Sequence, residues 1–200
     1  VSLKQIPRSI SEHPCGQLAD RREAKLFTLR NSQELTVKLT SFGEITTELH
    51  VPDHAGNIDD IVLECKGVEP DTTEHPYFGA NIGRVADRIT QAQFERDQKI
   101  YHLPDNHKSN CLFGDEHELD SQLWDTHCPE IQGKSFIEFC LTDPDGSHGF
   151  PGNRQCNVRD SLSDAIERPY LRGTLLRPAQ IFESNTSFRF FTKEAMDARH

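Results

Sequence analysis

Between Glu34 and Ser41 the chain alternates strictly: Leu35, Val37 and Leu39 stand apart from one another by single polar residues, Thr36, Lys38 and Thr40. A period of two places these sets on opposite faces of an extended segment and fits no helix. Comparable short runs recur between turn-forming residues. Glu44–Val51 and Asp59–Cys65 are expected strands around Pro52-Asp53-His54-Ala55-Gly56-Asn57. Gln93–Glu95 and Lys99–Leu103 flank Arg96-Asp97-Gln98 as a hairpin, and Ser135–Thr142 sets Ile137, Phe139 and Leu141 on one side. Thr174–Leu176 and the Phe-rich Ser187–Thr192 are expected late strands, whereas Ser161–Arg168 and the last few residues carry only a weak helical pattern. Many short strands between turns predict an all-β sandwich or barrel rather than a parallel α/β sheet.

Composition narrows the partners. Lys and Arg total 22 against 32 Asp and Glu, a net charge of −10, which excludes nucleic acid and an anionic membrane as main partners. The apolar fraction is 34%, so the core is lean, and no run approaches the ~18 apolar residues of a membrane span. The opening residues, VSLKQIPRSISEHPCG, lack the apolar stretch of a secretory signal. Cysteines 15, 65, 111, 128, 140 and 156 form no close pair, so reduced thiols and a cytoplasmic location are expected. Cys111, His117, His127 and Cys128 can be drawn as a zinc set, but adjacent side chains diverge, so no metal site is expected. Charge is uneven: residues 154–200 hold eight basic residues, seven of them Arg, against six acidic, while the preceding 153 are strongly acidic.

Generic motifs yield little chemistry. Asp143-Pro144-Asp145-Gly146 starts like a calcium loop, but its Gly comes too early; with Gly149, Pro151 and Gly152 it is expected to form tight turns. Gly79 and Gly83 lack the further residues of a phosphate loop, and there is no Gly-x-Ser-x-Gly elbow.

A longer pattern is more telling. PYFGANIGRVADRITQAQFERDQKIYHL (76–103), LTSFGEITTELHVPDHAGNIDDIVL before it, and NCLFGDEHELDSQLWD and DPDGSHGFPGN after it come in one order over about residues 35–153. In these segments the chain resembles the aldose 1-epimerases, which carry similar motifs in the same order. TLLRPAQIFESNTSFRF (174–190) is similar to that family's C-terminal strands, and Ser163-Asp164-Ala165 to the segment before them. The resemblance implies a β-supersandwich made as one domain over residues 1–200. Residues 1–33 would form an N-terminal extension and first strand, and 34–153 the first half of the fold. Residues 154–200 would be C-terminal strands after an internal deletion, with a seam at Asn153. Open strand edges left by such a deletion would favour self-association.

The resemblance also implies a reaction: interconversion of the α and β anomers of a free hexose through the open-chain aldehyde, without a cofactor. A base takes the anomeric hydroxyl proton while an acid protonates the ring oxygen. In the family an Asn-Arg pair and a His-Gly-Gly histidine hold the sugar. Here these become Asp87-Arg88 and Phe113, followed by Gly114 and Asp115. No residue matches the acid His, and the best register over 156–165 puts Val158 where the base Glu belongs. The implied substrate contacts are therefore Asp87 and Arg88, with His117 as a possible substitute for the lost His and no catalytic residue matched. Trp124, Phe78, Phe94 and Tyr101 are expected in the core, and nothing positions Glu183 or Glu194 as a replacement base. Two classes of function remain open: a mutarotating enzyme, and a non-catalytic carbohydrate-binding or vestigial protein. A third reading is a partial product unable to close its sheets.

Overall fold

The computed structural model describes residues 9–63, 77–114, 119–131, 134–162 and 186. These residues form an all-β structure in which short 3-10 turns are the only helical elements. The first sheet is a five-stranded antiparallel meander: β1 (Ser9–Gln17), β2 (Glu23–Arg30), β3 (Thr36–Thr40), β4 (Ile45–Pro52) and β5 (Ile58–Asp60), paired in that order. Next come β6 (Arg88–Ile89), the hairpin β7 (Gln93–Arg96) and β8 (Lys99–His102), and β9 (Cys111–Leu112), which pairs with β6. After β10 (Asp125–His127), β11 (Glu130–Ile131) and β12 (Lys134–Ser135), the long strands β13 (Ile137–Asp143) and β14 (Arg154–Asp160) complete a three-stranded sheet, ordered β10-β13-β14.

The alternating pattern explains how the two larger sheets meet. Phe27 and Leu29 from β2, Leu39 from β3, and Ile137 and Phe139 from β13 are at most 2% exposed and pack in one cluster with Leu119 and Trp124. The rings of Phe27 and Phe139 cross edge to face at 5.8 Å, a favoured aromatic geometry. Trp124 is buried as expected, its indole N–H donating to the Leu119 carbonyl at 2.9 Å. A second, smaller cluster gathers Ala92, Leu103, Cys111 and Phe150, with Phe94 packed against it and stacked on Tyr101.

Several expectations change. Strands β1 and β2 both fall within residues 1–33, where an extension and one first strand are expected from the sequence. They were hidden because β1 is mostly exposed and polar, and because β2 buries Ala24, Phe27 and Leu29, a spacing that breaks the period of two. The strand expected over Asp59–Cys65 ends at Asp60. Its carboxylate accepts the Leu49 and Val62 N–H groups at 2.8 and 3.1 Å, replacing ladder bonds with side-chain ones; Cys65 lies outside the described residues. Phe78, expected in the core, is 48% exposed, since the tight turn at Tyr77–Gly79 turns its side chain outward. The expected late strands and most of the weakly helical segment also lie outside the described residues.

Asn153 falls in a hairpin connection. Strand β14 pairs with β13 along its whole length, from Asp143 opposite Arg154 to Ile137 opposite Asp160. The change in charge at this point is thus not a break in the sheet. The intervening loop is made of tight turns, as its composition predicts: Gly146, Gly149 and Gly152 all have positive φ. At Gly149 a Cβ would lie 2.1 Å from the His102 carbonyl oxygen, so only glycine lets this loop lie against β8.

Candidate functional site

The segment Gly83-Arg84-Val85-Ala86-Asp87-Arg88 carries two arginines in contrasting surroundings. Arg84 is a structural clamp. Its Nε donates to Asp143 Oδ2 at 2.6 Å, and its other nitrogens reach the carbonyls of Asp143, Pro144, Pro151 and Gly152. Arg154 joins the same carboxylate oxygen at 2.8 Å. The side chains of Arg84 and Asp143 are 9% and 10% exposed. Burial pushes the Asp143 pKa up, but hydrogen bonds from Arg84 and Ser147 and the charges of Arg84 and Arg154 outweigh it, so the carboxyl sits below its ordinary range. The fork of one guanidinium thereby fastens both ends of the β13–β14 loop.

Arg88 opens to solvent, its side chain 48% exposed. It sits on β6, held opposite Leu112 of β9. Its Nη1 donates to Asp87 Oδ1 at 2.9 Å, and its Nε donates to His107 Nδ1 at 3.4 Å. The Phe113 N–H donates to the Asp87 carbonyl at 3.0 Å, bringing the two positions that differ from the family's sugar-holding motifs side by side. Phe113 meets Tyr77 edge to face at 4.9 Å. Tyr77, Asp87 and Phe113 all have φ near +60°: 60°, 64° and 59°. A left-handed conformation is tolerated by Asp but strained for bulky aromatic residues, and such strain concentrates at functional sites.

The structure thus brings Asp87 and Arg88 together and adds His107 and Tyr77, which the sequence reading did not single out. The Asn-His-Lys-Ser-Asn run at 106–110 reads as turn chemistry, and only the β6–β9 pairing shows that it faces Arg88. His117 lies outside the described residues. The zinc set does not assemble among those described: Cys111 is fully buried and donates to the Gly114 carbonyl at 2.8 Å, whereas Cys128 is exposed. Among the described residues, ligand atoms of Glu48, His50 and Asp60 lie within 4.8 Å of one another. The Lys38 ammonium already pairs with Glu48 at 2.8 Å, where it would compete with a cation.

Val158, where the resemblance places the base, lies opposite Phe139 on β14 and packs against the main core. Residues 156–160 of the C-terminal register lie on this return strand. No carboxylate stands at that position, and the charged neighbour at the strand's end, Asp160, is turned to Glu44. Burial and the neighbouring Asp160 push the Glu44 carboxyl up to about 10, and burial raises Asp160 as well. Glu44 is 3% exposed, so this acid pair is sealed in the packing rather than offered to a ligand.

This architecture is of the galactose-epimerase type. A galactose 1-epimerase from Lactobacillus acidophilus superposes with a TM-score of 0.65 at 23% identity, covering 76% of this chain and 44% of that one. An aldose epimerase homologue from C. elegans superposes with a TM-score of 0.60 at 22% identity, covering 79% and 43%. The sequence comparison carries the family: residues 25–169 match the aldose 1-epimerase family model, and the chain belongs to that family. Rat galactose mutarotase is 40% identical over 136 residues, which are 68% of this chain and 38% of the rat protein. Escherichia coli aldose 1-epimerase is 28% identical over 183 residues, 90% of this chain and 52% of that protein. The chain therefore spans between 38% and 52% of the length of these relatives. The family match passes through Asn153, in agreement with the hairpin there. No helix of the described residues is long and apolar enough to cross a membrane.

Proposed function

We propose that this chain binds a free hexose of the glucose or galactose type at Arg88 and acts as an aldose 1-epimerase-like protein on its anomers. One observation carries this reading: within a segment matching the family, Arg88 keeps an exposed guanidinium beside Asp87, on a strand paired with β9. A guanidinium with free N–H donors suits vicinal hydroxyls, and a neighbouring carboxylate accepts their protons in hydrogen bonds. Neither a nucleic acid nor a membrane suits a chain of net charge −10, and a cytoplasmic location fits cysteines scattered along the sequence with no close pair. We propose further that residues 1–200 form one domain, with residues 154–200 following an internal deletion, and that open sheet edges allow self-association.

The substitution at Phe113 and the core position of Val158 favour a second reading, a non-catalytic carbohydrate binder. Losing one positioned acid or base costs about 10²–10⁴ in rate. A polarimetric assay with α-D-glucose and α-D-galactose, run beside a thermal-shift titration with both sugars, separates the readings. Mutarotation above the buffer rate supports the enzyme. Sugar-dependent stabilisation without that rate supports the binder, and the absence of both responses overturns hexose recognition.

A further inference from the structure

We propose that His107 is a sugar-contacting residue: its imidazole donates from Nε2–H to a hydroxyl or ring oxygen of a hexose lying against Arg88. This rests on the hexose reading above and assigns the polar contact that Phe113 cannot make.

The geometry sets the tautomer. Arg88 Nε is always a donor, so His107 Nδ1, at 3.4 Å, is the acceptor and carries no proton. The ring proton is then on Nε2, which has no hydrogen-bond partner among the described residues. A donor is thus presented next to the Asp87–Arg88 pair. Donor, guanidinium and carboxylate together match the alternating donor and acceptor needs of adjacent sugar hydroxyls.

The loop is built to hold this ring still. Asn106 brackets Leu112 of β9, donating from Nδ2 to its carbonyl at 2.9 Å and accepting its N–H at 2.7 Å. His107 and Asn110 exchange backbone hydrogen bonds at 3.0 and 3.1 Å, closing the turn. The Asn110 side chain accepts the Gln91 N–H at 3.2 Å, tying that turn to the segment following β6. His107 and Arg88 are therefore referenced to the same pair of short strands, the condition under which a contact residue pays little ordering entropy on binding. Phe113, by contrast, offers only an apolar ring already packed on Tyr77.

The test is an NMR titration of the full chain with D-galactose and D-glucose, on wild type, His107→Ala, His107→Gln and Arg88→Ala. Long-range ¹H–¹⁵N spectra should show His107 as the Nε2–H tautomer, with Nε2 shifting on sugar addition. His107→Ala should weaken affinity about five- to tenfold, the worth of one neutral hydrogen bond, with His107→Gln recovering part of the loss through its amide donor. Arg88→Ala should weaken it roughly ten- to a hundredfold. A merely structural histidine would not give a Gln rescue or a sugar-dependent Nε2 shift. If Arg88→Ala weakens binding while His107→Ala leaves it unchanged, or if the proton is on Nδ1, the assignment of His107 fails and the hexose reading stands. If wild type binds neither sugar, the hexose reading fails and takes this assignment with it.

Discussion

Arg84 and Arg88 stand four residues apart, and the fold gives them opposite tasks. Arg84 is buried on a carboxylate and four carbonyls and fastens a loop. Arg88 keeps half its surface in solvent beside an 80%-exposed Asp87 carboxylate. The same side chain supports stability where its donors are all used by the protein, and recognition where some are left over. Arginine in a family motif is therefore not evidence of ligand contact by itself; the surrounding acceptors decide.

The comparison breaks most directly at the clamp. Arg84→Ala leaves Asp143 in a buried site with Arg154 as its remaining cation, and should cost about 3–5 kcal/mol in urea denaturation. Arg84→Lys should not restore it, because an ammonium cannot hold the carboxylate and both loop ends at once. If Arg84→Ala unfolds no more easily than Arg88→Ala, the division of labour is wrong.

The buried acids give the next effect. The folded pKa of Glu44, about 10, lies above its ordinary 4.5, so the folded state keeps a proton that the unfolded chain releases. Stability from this group is full below about 4.5 and falls as pH rises toward 10, by up to about 1.4 kcal/mol per pH unit. Asp143 acts in the opposite sense: its folded pKa is depressed, so its contribution is present above its ordinary 3.8 and is lost as pH falls below that. Denaturation midpoints should therefore decline on both sides. Glu44→Gln should flatten the alkaline limb, and Asp143→Asn the acid limb. An unchanged alkaline limb in Glu44→Gln would show that the pair with Asp160 is ionised in the folded protein.

Phe113→His sharpens the comparison on the recognition side. It restores the residue type the family places there and loses the edge contact with Tyr77, a change of about 0.5–1.5 kcal/mol in stability. Hexose affinity should rise by several-fold, read by the sugar dependence of the thermal midpoint; an unchanged or lower affinity would detach Phe113 from the site. The smallest effect belongs to Arg88→Ala, which should alter stability by no more than about 0.5 kcal/mol because its ion pair is exposed.

What the sequence reveals depends on where side chains point. Strand β3 is visible because Val37 and Leu39 alternate with polar residues toward the core, and the β7–β8 hairpin because turn residues separate two short runs. Strand β14 alternates as strictly in burial, but its inward set includes Arg154 and Asp160 beside Cys156 and Val158, so hydropathy conceals the period. The clamp partner Asp143 lies 59 residues from Arg84, a separation no local pattern spans. Asp87 and Arg88 are legible through the family motif. His107 is not, because its role follows from the β6–β9 pairing rather than from its neighbours in sequence.

The most direct test follows the side-chain Nε–H resonances of Arg84 and Arg88 in ¹H–¹⁵N spectra as D-galactose or D-glucose is added to the full chain. The account predicts a saturable shift at Arg88 and none at Arg84. No shift at Arg88, or equal shifts at both, would contradict it.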